Sequence, residues 1–135
     1  MIYLDSAAVV KLIRQELESG ELISWLSARP DESLIASALV EVEVPRALRR
    51  TAPQSLAGVP GVLARLYLLE IDRTVRATAA AYPDPALRSL DAVHLATARL
   101  VAGQPGAEPL TFVTYDSRLL KAAENAGLSI ASPGA

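Results

Sequence analysis

Short apolar runs alternate with longer segments of helical periodicity along most of this chain. Each run is ended by polar or turn-forming residues, which is typical of buried strands in a parallel sheet. The runs predict five strands, at residues 2–4, 34–36, 68–71, 110–115 and 128–131. The intervening segments carry apolar side chains at three- and four-residue spacing. They predict helices at about residues 7–14, 21–28, 38–50, 62–67, 73–81, 90–102 and 117–126, with a loop at 51–60.

The connections between the strands indicate the fold class. No two-residue hairpin turn joins any pair of runs, which favours helical crossovers and a mostly parallel sheet. We therefore expect an α/β fold in a single domain, residues 1–135, with helices on both faces of a five-stranded sheet. Two helix ends are predicted from single residues: Ser37 caps the third helix, and Gly103 ends the sixth in the left-handed conformation.

Composition narrows the classes of protein to consider. The chain is 51% hydrophobic and 21% charged, as in packed globular domains, and a net charge of −2 argues against a generic nucleic-acid coat. It has no cysteine, which excludes a disulfide scaffold and thiol catalysis and fits a reducing compartment. Neither a signal peptide nor an apolar run of about 20 residues is present, so we expect a cytoplasmic protein without a membrane segment.

Four acidic residues interrupt or follow apolar stretches, where an unpaired carboxylate is costly. They are Asp5, Glu43, Asp91 and Asp116. Asp5 and Asp116 follow predicted strands, Asp91 falls in the first turn of a helix, and Glu43 lies on the helix after the second strand. Since active sites of open parallel sheets lie beyond the carboxyl ends of the strands, we expect all four at one edge.

Gathered carboxylates repel one another by about 4 kcal/mol per pair at ~4 Å, so a cation is needed. Oxygen ligands favour Mg²⁺ or Mn²⁺, which would suit phosphodiester hydrolysis by activating water and stabilising charge. Each acid also has an ordinary structural interpretation. Asp5 would act as a turn residue, Asp116 as a helix cap, Asp91 as a helix-start charge, and Glu43 as the partner of Arg46.

Four ordered blocks resemble the conserved segments of PIN-domain ribonucleases, and most closely those of VapC-type toxins. The blocks are MIYLDSAAVVKLI, SALVEVEVPRALRR, LRSLDAVHLATARL and FVTYDSRLLKAAENAGL, and the resemblance extends from residue 1 to about 130. It implies a PIN-like three-layer sandwich and a Mg²⁺- or Mn²⁺-dependent endoribonuclease acting on RNA. It also implies a VapB-type antitoxin that blocks the site, a homodimer, and a toxin–antitoxin hetero-oligomer.

The resemblance assigns the metal-binding and catalytic acids residue by residue. It makes Asp5 the first, Asp91 in LDAVHLATA the third and Asp116 in TYDSRLL the fourth. The second is Glu43 or Glu41, which lie two residues apart on a helix and cannot face the same way. Glu43 is preferred, because family members place this acid six residues after the serine that opens the helix and just before an apolar-x-Arg pattern.

Polar residues near these acids have two interpretations each. The hydroxyls of Ser6 and Thr114 either support the carboxylates by hydrogen bonds or serve capping and strand packing. His94, the only histidine, is a proton carrier or, as its apolar helix favours, a hydrogen-bonded core residue. Three arginines on one helical face bind RNA phosphates or form a solvated basic surface. They are Arg46, Arg49 and Arg50.

The leading hypothesis is therefore a metal-dependent endoribonuclease that acts as the toxin of a toxin–antitoxin pair. One alternative is a PIN nuclease of RNA processing or repair, which would not arrest growth when expressed alone. The other is a catalytically inactive PIN-like module that binds RNA or protein. Metal-dependent cleavage of RNA separates the last alternative from the first two.

Overall fold

The structure is a computed structural model that describes residues 1–135 and contains five strands and seven α-helices. The strands are β1 (Ile2–Leu4), β2 (Leu34–Ser37), β3 (Tyr67–Leu69), β4 (Thr111–Val113) and β5 (Ser129–Ala131). The helices are α1 (Ser6–Ile13), α2 (Ser19–Ser27), α3 (Val40–Thr51), α4 (Val59–Leu63), α5 (Arg73–Ala80), α6 (Ser89–Ala102) and α7 (Ser117–Asn125). A 3₁₀ helix covers Pro53–Gly58.

The sheet confirms the predicted class. All five strands are parallel, in the order β3-β2-β1-β4-β5. β1 is central and pairs with β2 on one side and β4 on the other, with Tyr3 opposite Ile35 and Phe112. The chain runs outward from β1 to β3 and then crosses back to β4, so the strand order reverses between β1 and β4. A ligand site is expected at the carboxyl ends of these two strands.

Alternation of side chains along β1 divides the core into two layers. Ile2 and Leu4 contact one apolar cluster, which the helices from α1 to α4 cover, whereas Tyr3 contacts a second cluster beneath α6 and α7. The Tyr3 ring stacks on Phe112 with centroids 5.0 Å apart. The molecule is therefore a three-layer sandwich in which α3 and α6 belong to opposite helical layers.

Residues 51–67 differ from the prediction. The stretch expected to be a loop contains the 3₁₀ helix, and the next helix covers residues 59–63 instead of 62–67. Pro60 explains the second difference, because proline is well suited to the first turn of a helix, where its missing N–H needs no partner. Pro60, the last residue of the predicted loop, therefore lies in the first turn of α4.

Two predicted helix ends are also wrong. Ser37 belongs to β2, and its hydroxyl accepts a hydrogen bond from the Leu39 N–H before α3 begins at Val40. Gly103 has φ −84°, and the left-handed position is instead taken by Gly127, at φ +86°, after α7. A side chain at Gly103 would meet the Arg99 carbonyl oxygen at 3.2 Å, so close packing rather than backbone handedness accounts for this glycine. No helix combines the length and apolar character that a bilayer-spanning segment requires.

Candidate active site

Two of the predicted acids stand where the central strands end. Asp5 follows β1 and caps α1, where its Oδ1 accepts a 2.9 Å hydrogen bond from the Ala8 N–H. Asp116 follows β4 and caps α7, where its Oδ1 accepts hydrogen bonds from the N–H groups of Arg118 and Leu119. Both acids therefore lie at the expected edge. Asp116 is the cap that the sequence predicted, and Asp5, interpreted from the sequence as a turn residue, is a helix cap as well.

Thr114 joins these two acids. Its hydroxyl donates a 2.6 Å hydrogen bond to Oδ2 of Asp5 and accepts one from the Asp116 N–H at 3.1 Å. The residue is fully buried, and Asp5 is only 5% exposed. Burial raises the pKa of Asp5 although the hydrogen bonds from Thr114 and Ala8 oppose this effect. Asp5 is thus a nearly buried carboxylate that the protein holds firmly in place.

Glu43, rather than Glu41, faces this edge. One of its oxygens, Oε1, accepts a hydrogen bond from the Ser6 hydroxyl and another, at 2.8 Å, from Nε2 of His94. Partial burial favours the neutral acid, but the bonds from His94 and Ser6 outweigh it and lower the pKa of Glu43. Glu41 is exposed. The pair expected if Glu43 were purely structural does not form, because Arg46 makes no salt bridge with it.

Asp91 lies in the first turn of α6, as its position in the sequence suggested. No hydrogen bond from the protein reaches its carboxylate, which is half-buried. Burial raises its pKa, and the negative charges of Asp116 and Glu43 raise it further. The charge of Asp91 also raises the pKa of Asp5. Asp91 is therefore electrostatically coupled to each of the other three acids at this edge of the sheet.

His94 connects this edge to the core through hydrogen bonds. The sequence did not predict this connection. The His94 ring is 2% exposed, with Nδ1 2.7 Å from the Tyr3 hydroxyl and Nε2 2.8 Å from Glu43. The expectation of a hydrogen-bonded core histidine is met, but two of its three partners, Glu43 and the Ser6 hydroxyl at 3.2 Å from Nε2, are predicted site residues. The signal available in the sequence was spacing, since His94 follows Asp91 by three residues and so shares its side of the helix.

The arrangement fits a hard divalent cation by its donor chemistry. It offers carboxylate oxygens from three strand or helix ends, and several of these oxygens have no hydrogen bond from the protein, including Oε2 of Glu43 and both oxygens of Asp91. Mutual repulsion among the acids is the electrostatic condition that such an ion relieves. In this structure, however, no three of these side chains form a group that could hold a metal ion.

A basic surface lies on α3 next to Glu43. Its three arginines are exposed and form no ion pair within the protein: Arg46, Arg49 and Arg50. Spacings of three and four residues place Arg46 beside both others on one side of the helix. We call these three residues the arginine face.

Comparison with known proteins gives a consistent result for sequence and structure. Residues 2–125 match the PIN domain family. The chain is 56% identical over 135 residues to Ribonuclease VapC35 of Mycobacterium tuberculosis, covering 99% of this chain and 98% of the relative. The aligned stretch covers nearly the full length and therefore every segment that forms the acidic edge.

Solved structures resemble the fold at much lower identity. VapC20 of Mycobacterium tuberculosis, a sarcin–ricin loop cleaving toxin, superposes with a TM-score of 0.74 at 15% identity, covering 98% of this chain and 100% of that one. A toxin–antitoxin complex from Klebsiella pneumoniae contains a chain with a TM-score of 0.73 at 18% identity, covering 98% of each chain. These likenesses support the fold, and the sequence relatives support the family.

Proposed function

This chain belongs to the PIN-domain family, and on that premise we propose that it is a metal-dependent endoribonuclease, the toxin of a type II toxin–antitoxin system. The observation that carries the proposal is the coupled set of four acids at the switch point of the sheet, in a chain 56% identical to a named ribonuclease. The charges of Asp116 and Glu43 raise the pKa of Asp91, and the charge of Asp91 raises that of Asp5, at the edge where such folds bind ligands. Repulsion of this kind is not expected among acids that have only structural roles.

The acidic residues would hold one or two divalent cations, and we propose Mg²⁺ or Mn²⁺. The ligands would be Asp5, Asp91 and Asp116, with Glu43 completing the set directly or through water. Bound there, the cation would supply positive charge to the phosphate and lower the pKa of a water molecule. The hydroxyls of Ser6 and Thr114 keep Glu43 and Asp5 oriented through the hydrogen bonds described above.

Glu43 is suited to orient the attacking water. Its lowered pKa keeps it ionised at neutral pH, and its Oε2 receives no hydrogen bond from the protein. Asp5 is different, because both of its oxygens already accept hydrogen bonds and its conformation is fixed by the start of α1. We therefore assign Asp5 to binding and Glu43 to both binding and water orientation.

The test is cleavage of total RNA by the purified protein with Mg²⁺, with Mn²⁺ and with EDTA. Asp91→Asn keeps the shape of the side chain and removes its charge, so cleavage should fall by at least about 100-fold. Asp31→Asn is the matched control, because Asp31 is exposed and makes no ion pair. Full activity of the Asp91 variant, or cleavage that persists in EDTA, would refute the assignment.

The arginine face would bind RNA phosphates on either side of the cleaved bond. For single-stranded RNA, each phosphate contact contributes about 0.7 to the slope of the logarithm of the binding constant against the logarithm of the salt concentration. Replacing Arg46, Arg49 and Arg50 with Ala should therefore weaken binding and reduce the slope by about 2, with metal affinity unchanged. Arg73→Ala, on the exposed side of α5, is the control. An unchanged slope in the triple variant would reject this role.

A VapB-type antitoxin and a second copy of the chain are the proposed protein partners, in the cytoplasm where cellular RNA is the substrate. Support comes from large apolar side chains left exposed before α2, on α2 and on α3: Leu17 at 93%, Ile23 at 47% and Val42 at 60%. Growth arrest on expression, relieved by a co-expressed small partner, is the expected result. Absence of arrest with active enzyme would favour a nuclease of RNA processing.

A further inference from the structure

A line of hydrogen bonds runs from the centre of the sheet to Glu43. Tyr3, fully buried in β1, places its hydroxyl 2.7 Å from Nδ1 of His94, and Nε2 of His94 lies 2.8 Å from Oε1 of Glu43. The residues come from β1, α6 and α3, so the line joins the middle layer to both helical layers. We call it the tyrosine–histidine relay.

The donors and acceptors of the relay determine which nitrogen of His94 carries a hydrogen. A tyrosine hydroxyl has one hydrogen to donate and is protonated at neutral pH. Its oxygen already accepts the Ser37 N–H, at 3.3 Å, so its own hydrogen is free to point to Nδ1 of His94. Nδ1 is then an acceptor, and a neutral imidazole carries its hydrogen on Nε2. Nε2 lies 2.8 Å from Oε1 of Glu43 and 3.2 Å from the Ser6 hydroxyl oxygen, whose own hydrogen is donated to Glu43.

We propose that Tyr3 and His94 are positioning residues that fix the carboxylate of Glu43 for its work at the acidic edge. The Tyr3 hydroxyl on one side and the ionised Glu43 on the other both favour the Nε2–H tautomer of His94. That hydrogen holds Oε1 while the Ser6 hydroxyl binds the same oxygen. Oε2 receives no hydrogen bond from the protein and stays available to an ion or a water molecule.

The alternative is that the relay only satisfies a buried histidine, with no consequence for Glu43. Two features favour positioning. The relay ends on a half-buried carboxylate rather than on a backbone carbonyl, the more common partner of a structural side chain. A glutamate also has several rotatable bonds, and an unanchored one loses entropy when it binds a ligand. Anchors of this kind commonly contribute 10- to 100-fold to metal affinity or activity.

The chain offers an unusually clear spectroscopic test, because His94 is its only histidine. In metal-free protein labelled with ¹⁵N-histidine, NMR should show a single imidazole with Nδ1 unprotonated and Nε2 protonated. In Tyr3→Phe the ring still stacks on Phe112, but Nδ1 loses its hydrogen-bond donor while Glu43 still accepts from Nε2. The Nδ1 resonance should therefore shift, and the imidazole lines should broaden because the ring is less firmly held. A wild-type imidazole with its hydrogen on Nδ1 would overturn the proposal.

Function is measured on the same variants by calorimetry with Mn²⁺ alone and by RNA cleavage. Tyr3→Phe should weaken Mn²⁺ binding and lower kcat by about tenfold each, with KM for RNA within about twofold of wild type. Tyr82→Phe, which removes a partly exposed hydroxyl on the far side of α6, should change neither. Unchanged Mn²⁺ affinity in folded Tyr3→Phe would show that the relay is structural only.

A second pair of variants covers the case in which Tyr3→Phe does not fold. His94→Gln can keep an N–H directed at Glu43 and should retain much of the Mn²⁺ affinity, whereas His94→Leu removes the donor and should lose at least tenfold. Equal affinities in the two would overturn the proposal. The inference rests on the proposed function, but the tests are separable: RNA left uncut by wild-type protein refutes the nuclease, whereas the tautomer and the Mn²⁺ affinities decide the relay.

Discussion

Asp5 has two tasks, and two substitutions separate them. Its Oδ1 caps α1 through the Ala8 N–H, and its Oδ2 accepts from the buried Thr114 hydroxyl. Asp5→Ala removes both acceptors. Loss of the cap costs about 1 kcal/mol, and a buried hydroxyl left without its partner costs about 1–3 kcal/mol. Loss of a charge that burial disfavours returns part of this, so we expect a net destabilisation of about 1–3 kcal/mol.

Asp5→Asn keeps much of the same structure. Asparagine is as good a cap as aspartate, so its oxygen can accept the Ala8 N–H. Its amide can donate to the Thr114 oxygen, which has a second lone pair besides the one that accepts the Asp116 N–H. The Thr114 hydrogen then needs a new acceptor, and the buried charge is removed. These effects oppose each other, and we expect a free energy of unfolding within about 1 kcal/mol of wild type.

Thermal unfolding in EDTA at neutral pH measures the difference. For a chain of this length, 1 kcal/mol corresponds to about 3–4 °C in Tm. The Ala variant should unfold about 3–12 °C below wild type and the Asn variant within about 4 °C of it, while both lose RNA cleavage. Equal Tm values for the two variants would refute the capping argument, and an active Asn variant would refute the role of the charge.

Three further predictions concern stability. Burial and the charge of Asp116 raise the pKa of Asp91, so the ionised carboxylate destabilises the folded state above that pKa. In EDTA at neutral pH, the Asp91→Asn variant should therefore be more stable than wild type by about 0.2–1 kcal/mol. This advantage should vanish as the pH falls through the folded-state pKa, and an advantage independent of pH would contradict the cause given. Leu48→Ala, at a fully buried position on α3, should cost about 2–5 kcal/mol in urea unfolding, and a cost below 1 kcal/mol would mean that this core readily collapses. Gly127→Ala should cost about 1 kcal/mol from backbone conformation alone, since its φ is +86° and no atom lies within 4 Å of the added carbon; unchanged stability would contradict this.

The sequence predicted the features that follow from local pattern. The five strands were found because each is a short apolar run, and their parallel pairing followed from the helical connections between them. Asp5 and Asp116 could be placed because each stands just beyond a strand end, which fixes its position relative to the sheet. Membership of the PIN-domain family was likewise indicated by ordered blocks of residues and is confirmed.

The sequence could not predict the features that depend on packing between distant elements. His94 and Glu43 are 51 residues apart, and they meet only because α3 and α6 approach each other over the end of β1. Glu41 and Glu43 have similar sequence contexts, and the contacts of Glu43 with Ser6 and His94 are what distinguish it. At Pro60 the same residue type signals either a loop or a helix start, and the packing of the following apolar residues decides between them.

The contact between Glu43 and His94 joins helices from the two outer layers across the rim of the sheet. Each layer has its own apolar cluster, so a small separation at this rim would leave most of the buried surface intact. Such openings need less free energy than global unfolding. Heating without the ion should therefore break the contact between Glu43 and His94 several degrees before the helices melt, and an ion that bridges the rim should bring the two temperatures together.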